Sequence, residues 1–133
     1  APTFIAFTPW TTVGSYQELL KAVAELGVVD HVAPVQWGLR LLVTQGSRLL
    51  ELEDIRDRVQ PFDPVTLTYP WRHELAEVDA LQVAVMRAVG VTLTRSRREI
   101  FKEVCNLAGV PLDFDLQVAP RATIPFLNEP WYC

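Results

Sequence analysis

Three threonines around an indole, Thr8-Pro9-Trp10-Thr11-Thr12, end the β-branched and aromatic run Thr3 to Thr8 and precede Gly14-Ser15. Read as the turn from a strand C-terminus into a helix N-terminus, this is where an α/β sheet gathers ligands. Its hydroxyls and unpaired amides would suit a carboxylate, a ribose or a phosphate. Thr8, Trp10, Thr11 and Thr12 are therefore candidate binding residues. The alternative is that Thr11, Thr12 and Ser15 only cap the helix while Trp10 packs the loop. Gln36 and Arg40 form a second candidate group, because they fall on the polar register of an otherwise apolar stretch. A guanidinium facing a cavity would bind a carboxylate or phosphate; facing outward it would be solvated or ion-paired.

The remaining reactive side chains are less organised. Arg95, Arg97 and Arg98 crowd the start of the last expected helix, where the macrodipole disfavours cations. That placement calls for acidic neighbours such as Glu51, Glu53 and Asp54, for an anionic ligand, or for a solvated face. His31 and His73 have no His or Cys at ligand spacing, so no metal site is expected from them. Nucleophile elbows, Gly-rich phosphate loops and zinc motifs are absent from the sequence. Cys105 lies on an apolar helical face and reads as a buried structural thiol. Cys133 closes a proline-rich aromatic tail, Pro125 to Cys133, and is the one thiol with a claim to reactivity.

The elements that must position these residues read as follows. Thr3 to Thr8 is a strand, and Ser15 with Glu18 makes a capping box for a helix carrying Tyr16, Leu19, Leu20, Val23 and Leu26 up to the stop at Gly27. Val35, Trp37, Leu39, Leu41 and Val43 alternate with Gln36, Gly38, Arg40 and Leu42, the pattern of a second strand. Strand, helix and strand make a βαβ unit with parallel strands, so the expected fold class is α/β. Beyond it, Glu53 to Val59 suggests a short helix. Glu74 to Val89 suggests a long one through Leu75, Val78, Leu81, Val85 and Val89. Ser96 and Glu99 form another capping box, with Ile100, Phe101, Val104, Leu107 and Ala108 on one face and Gly109 as the stop. The expectation is a single domain over 1–133: a βαβ segment over 1–52, a helical extension over 53–109 and an irregular Pro/aromatic tail over 110–133.

With 133 residues, half of them apolar, the chain has material for one core and not for two. A net charge of −4 gives no field to attract nucleic acid or an anionic membrane, and neither is expected as a partner. No apolar run reaches membrane-spanning length and the N-terminus lacks signal-peptide character, so a soluble cytoplasmic protein with reduced cysteines is expected. Residue 1 is not Met and already opens a strand, which reads as a cut point.

The strand and turn TFIAFTPWTT, the stretch DHVAPVQWGLRLLV, the turn Gly46-Ser47-Arg48-Leu49-Leu50-Glu51, the helix around Val78-Asp79-Ala80-Leu81-Gln82 and the ending NEPWYC together resemble one branch of the radical SAM superfamily. That branch is named for a Cys-Sec-Ala-Glu-Pro or Cys-Cys-Ala-Glu-Pro tail. The glycines usual in the first turn are replaced here by Thr8 and Trp10. The resemblance implies the last two strands of a partial barrel plus a helical extension, with Thr8, Trp10, Thr11 and Thr12 near the S-adenosylmethionine site and Gln36 and Arg40 toward the cavity. It also implies an upstream cobalamin-binding-like domain and a CxxxCxxC motif for a [4Fe–4S] cluster, neither of which is in this chain. By that mapping Cys133 is the first residue of the tail motif, and the chain stops before its Cys or Sec partner. The expected function is a truncated C-terminal part of a radical SAM enzyme, binding no cofactor and performing no catalysis by itself. The competing reading is a non-catalytic α/β interaction module that forms a homo-oligomer through an exposed sheet edge.

Overall fold

The computed structural model describes residues 2–90 and 95–112. The tail from 113 onward, with Cys133, lies outside them. Among the described residues the fold is helical: α1 is Val13–Glu25, α2 Glu53–Arg56, α3 Ala76–Gly90 and α4 Arg97–Leu107. Single 3₁₀ turns cover Val29–His31, Pro34–Gly38 and Arg48–Glu51. The expected α/β class with a βαβ unit is therefore overturned. Extended segments meet only at isolated bridges, Phe7 with Arg40 in parallel, and Thr44 with Thr68, Val59 with Trp71 and Asp63 with Thr68 antiparallel. The sheet edge expected to pair two copies is likewise missing among the described residues.

The physical reason lies in residues 34–43. A strand would put Val35 and Trp37 on one face, yet Val35 is 46% exposed and Trp37 1%. Pro34 fixes φ near the helical value and lacks an N–H to give a ladder, so it starts a helical turn instead. That turn buries Trp37 between Phe4 and Phe101, with ring centroids 5.5 and 5.1 Å away. Only after Gly38 does the chain extend. There Phe7 N–H donates to Leu39 O (2.9 Å) and Leu41 N–H donates to Phe7 O (2.8 Å), one rung rather than a ladder.

The helices follow the expected apolar faces with shifted ends. In α1 the N-cap is Thr12, not Ser15: Ser15 N–H donates to Thr12 Oγ1 (3.0 Å) and Thr12 N–H donates to Ser15 Oγ (2.9 Å). The helix thus begins a turn earlier than Ser15 with Glu18 would set, because a threonine in extended conformation already offers the capping oxygen. Tyr16, Leu20, Val23 and Ala24 are buried, while Leu26 falls past the last turn and is exposed. Gly27 adopts φ 65°, the left-handed stop. In α4 the Ser96–Glu99 capping box forms as expected, and Ile100, Phe101, Val104 and Cys105 are buried. Gln17 Nε2 donates to Ala108 O (2.7 Å), joining α1 to the end of α4.

One core unites these pieces, running from Ala6 and Phe7 through α1 and Trp37 to α3, α4 and Val110. The Cys105 thiol sits inside it, free and fully buried, and burial pushes its pKa up to about 11. The Tyr16 hydroxyl donates to Trp37 O (2.9 Å), and burial raises its pKa, with the Cys105 thiol adding to the shift. Gly38 lets α3 approach closely. Gln82 Nε2 donates to Gly38 O (2.9 Å), and a methyl at Gly38 would lie 2.8 Å from Met86 Cγ and nearer still to its Sδ.

Two outcomes follow for stability. Gly38→Ala should destabilise the fold by about 1–3 kcal/mol through overpacking against Met86, read by urea denaturation. If Met86→Ala in the same chain does not recover part of that loss, the close approach is not its cause. The second concerns Asp30, whose carboxylate takes Arg98 Nε at 3.0 Å on both oxygens and Nη2 at 2.7 Å, while Arg97 Nη1 donates to Asp30 O (2.5 Å). The hydrogen bonds from Arg98 hold the Asp30 carboxyl below its ordinary value. Stability from a lowered carboxyl is present above the unfolded pKa and lost as pH falls through the folded one. Asp30→Asn should therefore be less stable than the natural chain near pH 7, the gap closing below about pH 4. Urea midpoints at both pH values measure it, and a gap constant with pH would contradict this account.

Candidate functional site

The expected binding turn is held by its own hydroxyls. Thr8 N–H donates to Thr11 Oγ1 (2.9 Å), the two threonine hydroxyls bond to each other (3.0 Å), and Thr11 Oγ1 donates to Ala6 O (3.2 Å). Thr12 is spent as the α1 N-cap. Outside the turn, Trp10 Nε1 donates to Asp54 Oδ2 (2.6 Å) and Arg58 Nη1 donates to Pro9 O (2.5 Å). Arg58 Nη2 also pairs with Glu74 at 2.9 Å. The single-turn α2, too short to persist by itself, is thereby fixed against the turn on one side. Thr8, Trp10, Thr11 and Thr12 do lie together, with Thr12 as the cap of α1 and Trp10 half exposed and tied to Asp54.

Arg40 is brought elsewhere. Its Nη1 pairs with Asp79 Oδ1 (2.7 Å), its Nη2 donates to Trp71 O (2.6 Å), and its guanidinium lies 3.6 Å over the Trp71 ring. Asp79 sits in the first turn of α3, where a carboxylate also favours the helix dipole. Its second oxygen accepts from His73 N–H (3.0 Å). His73 Nδ1 in turn accepts from Leu75 N–H (2.9 Å), while its Nε2 is buried without a partner. Gln36 is not part of this cluster. It belongs to the 3₁₀ turn, with a buried Oε1 that has no hydrogen-bond partner.

The charge of Arg40 is thus neutralised by Asp79 and shielded by an indole, which leaves little to attract an anion. A cavity of about 160 Å³ adjoins it, lined by residues 40–43 and 68–71 and mostly apolar. Its volume is below the roughly 300 Å³ at which small-molecule pockets begin, so it does not suit S-adenosylmethionine. The sequence carries no CxxxCxxC motif for a [4Fe–4S] cluster either. Two cysteines are one short of a CxxxCxxC set, and Cys105 is sealed in the core. Among the described residues no three His, Cys, Asp or Glu side chains converge as metal ligands.

The arginines at and just before the start of α4 turn from an open question into pairs. Arg98 and Arg97 grip Asp30, and Arg95 pairs with Glu103. Glu51, Glu53 and Asp54 are not their partners in any of these bonds. Sequence reasoning missed Trp71, His73, Asp79 and Asp30 as partners. The acidic first turn of α3 was the available signal for Asp79, but its arginine lies 39 residues away.

Replacing Arg40 tests what the cluster contributes. Arg40→Ala should cost about 1–3 kcal/mol in thermal or urea unfolding, since the ion pair, the stacking on Trp71 and a backbone acceptor's partner go together. Arg40→Lys should recover less than half, because an ammonium cannot span both partners while lying flat on the ring. Full recovery by lysine would reduce the cluster to a simple charge contact.

No helix among the described residues is long and apolar enough to cross a membrane. Set against protein-family models, curated proteins and solved structures, the chain matches none.

Proposed function

We propose that this chain is a C-terminal part of a cytoplasmic radical SAM protein of the Cys-Sec-Ala-Glu-Pro or Cys-Cys-Ala-Glu-Pro tail type, and that it contributes scaffold rather than chemistry. The family placement rests on TFIAFTPWTT, DHVAPVQWGLRLLV, the Gly46 to Glu51 turn and NEPWYC as they stand in the sequence. The inert role rests on one observation: Arg40, the strongest ligand-binding candidate, is closed off by Asp79 and Trp71. The threonines of the neighbouring turn are committed in the same way, Thr12 to the α1 cap and Thr8 and Thr11 to each other.

The cysteine count supports the same division of labour. Radical initiation in that superfamily starts at a cluster held by three cysteine thiolates together with S-adenosylmethionine. Supplying those thiolates falls to protein outside these 133 residues. What this chain does is bury the aromatic and aliphatic residues around Trp37 and present the turn 8–12 rigidly at one end of α1. By the tail motif, Cys133 would be the first thiol of a vicinal Cys-Sec or Cys-Cys pair.

Two measurements decide the matter together. Anaerobic reconstitution of this chain with iron and sulfide should give no stoichiometric cluster absorption in the visible. Sequencing the flanking DNA should show, in frame upstream, a CxxxCxxC motif and, after the Cys133 codon, UGA or a Cys codon followed by Ala-Glu-Pro. A stoichiometric cluster on the chain alone would end the scaffold reading, and an unrelated upstream frame would end the family placement.

A further inference from the structure

Helices α1 and α4 each start on a hydroxyl cap, from Thr12 and Ser96. The residues before α3 are Arg72, His73, Glu74 and Leu75, with no Ser, Thr, Asp or Asn among them. An imidazole holds that start instead. His73 Nδ1 accepts from Leu75 N–H (2.9 Å), and Leu75 O accepts from Val78 N–H (3.0 Å) as the helix begins. His73 N–H donates to Asp79 Oδ2 (3.0 Å). Side chain and main chain of one residue thus tie the incoming segment to the first turn.

A backbone N–H can only donate, so Nδ1 is the bare nitrogen and the proton of the neutral ring sits on Nε2. His73 is 9% exposed, and Nε2 has no hydrogen-bond partner. A proton taken from solvent at Nδ1 would make both nitrogens donors. One would then oppose Leu75 N–H, and the ring would carry a charge in a buried place. Neighbouring charge does not compensate. Glu77 and Asp79 stand at this junction from the first turn of α3, Arg40 from the extended segment after Gly38, and Arg58 from the stretch after α2, while Arg72 and Glu74 flank His73 in sequence. Cations and carboxylates are equal in number there. Arg40 already pairs with Asp79 and Arg58 with Glu74, and both Asp79 oxygens are bonded.

We propose that His73 is a proton-sensitive latch on the start of α3: neutral, it holds residues 71–75 to the helix, and protonated, it lets them go. Release reaches beyond the cap, because Asp79, which bonds His73 N–H, also pairs with the guanidinium that lies over Trp71. Only the neutral ring fits the folded junction, so the latch is closed at high pH and its contribution is lost as pH falls. The inference stands apart from the family placement above.

Nitrogen-15 NMR on the full chain tests it between about pH 8 and about pH 5, the range over which an imidazole changes charge. At the upper end His73 should carry its proton on Nε2 and none on Nδ1. As Nδ1 takes up a proton, Leu75 N–H should lose at least about tenfold in exchange protection after correction for the intrinsic rate. The Trp71 indole N–H, bonded to Leu41 O, should shift with the same midpoint. His73→Asn should keep Leu75 protected at both ends, since a carboxamide oxygen accepts from an N–H two residues on and does not titrate. His31→Asn removes the other imidazole of the chain and should leave the response as it is. A proton on Nδ1 at the upper end overturns the proposal, and this reading of the natural chain decides even where a variant fails to fold. So does Leu75 protection that ignores pH, a response that survives His73→Asn or vanishes in His31→Asn, or an indole signal that does not move with the ring.

Discussion

Burial of Trp37 is the constraint on which the other contacts depend. Its ring lies between Phe4 of the N-terminal segment and Phe101 of α4, and its carbonyl takes the Tyr16 hydroxyl of α1. The residue after it, Gly38, faces Met86 of α3 with no room for a side chain between them. A side chain of this size brings well over 100 Å² of apolar surface into the core, and truncating it would leave Phe4 and Phe101 without the ring between them. The turn at Pro34–Gly38 exists to deliver this ring. Its conformation follows from Pro34 on one side and the room at Gly38 on the other.

That turn also marks where sequence reading failed. Alternation of apolar residues over Val35 to Val43 is a strand signal only if the backbone is extended throughout. A 3₁₀ turn followed by an extended stretch produces the same alternation. Exposure separates the two cases, and exposure is a tertiary property. Capping chemistry, by contrast, was legible: Ser96 with Glu99 and the glycine stops at 27 and 109 act locally, through hydrogen bonds within three residues or a single φ. Thr12 was named among three possible caps, Thr11, Thr12 and Ser15, and the choice between them was not legible because Ser15 with Glu18 fits the same rule one turn later. The long helix Ala76–Gly90 was legible from its period, although Leu75 proved to precede it.

The candidate site was legible residue by residue and not as a constellation. Thr8, Trp10, Thr11 and Thr12 were picked out because hydroxyls next to a helix start always have bonding to do, and they do it with one another. Arg40 was picked out because a cation in an apolar stretch needs a partner. Which partner required knowing that residues 40, 71 and 79 converge, and no pattern of spacing encodes that. The same holds for Asp30, whose neighbours in sequence carry no hint of two arginines at positions 97 and 98. Where a charge opposes a helix dipole, as those arginines do, the sequence announces that compensation exists without saying where.

The bond from Gln17 to the carbonyl of Ala108 spans 91 residues, and the Asp30–Arg98 pair spans 68. A chain emerging from the ribosome N-terminus first would make α1 long before either partner was available, and its apolar face would wait for α4 to be synthesised. Closing such long loops is entropically costly until many contacts form at once. The apolar face of the first half is therefore completed only once the segment that carries Phe101 and Ala108 is present.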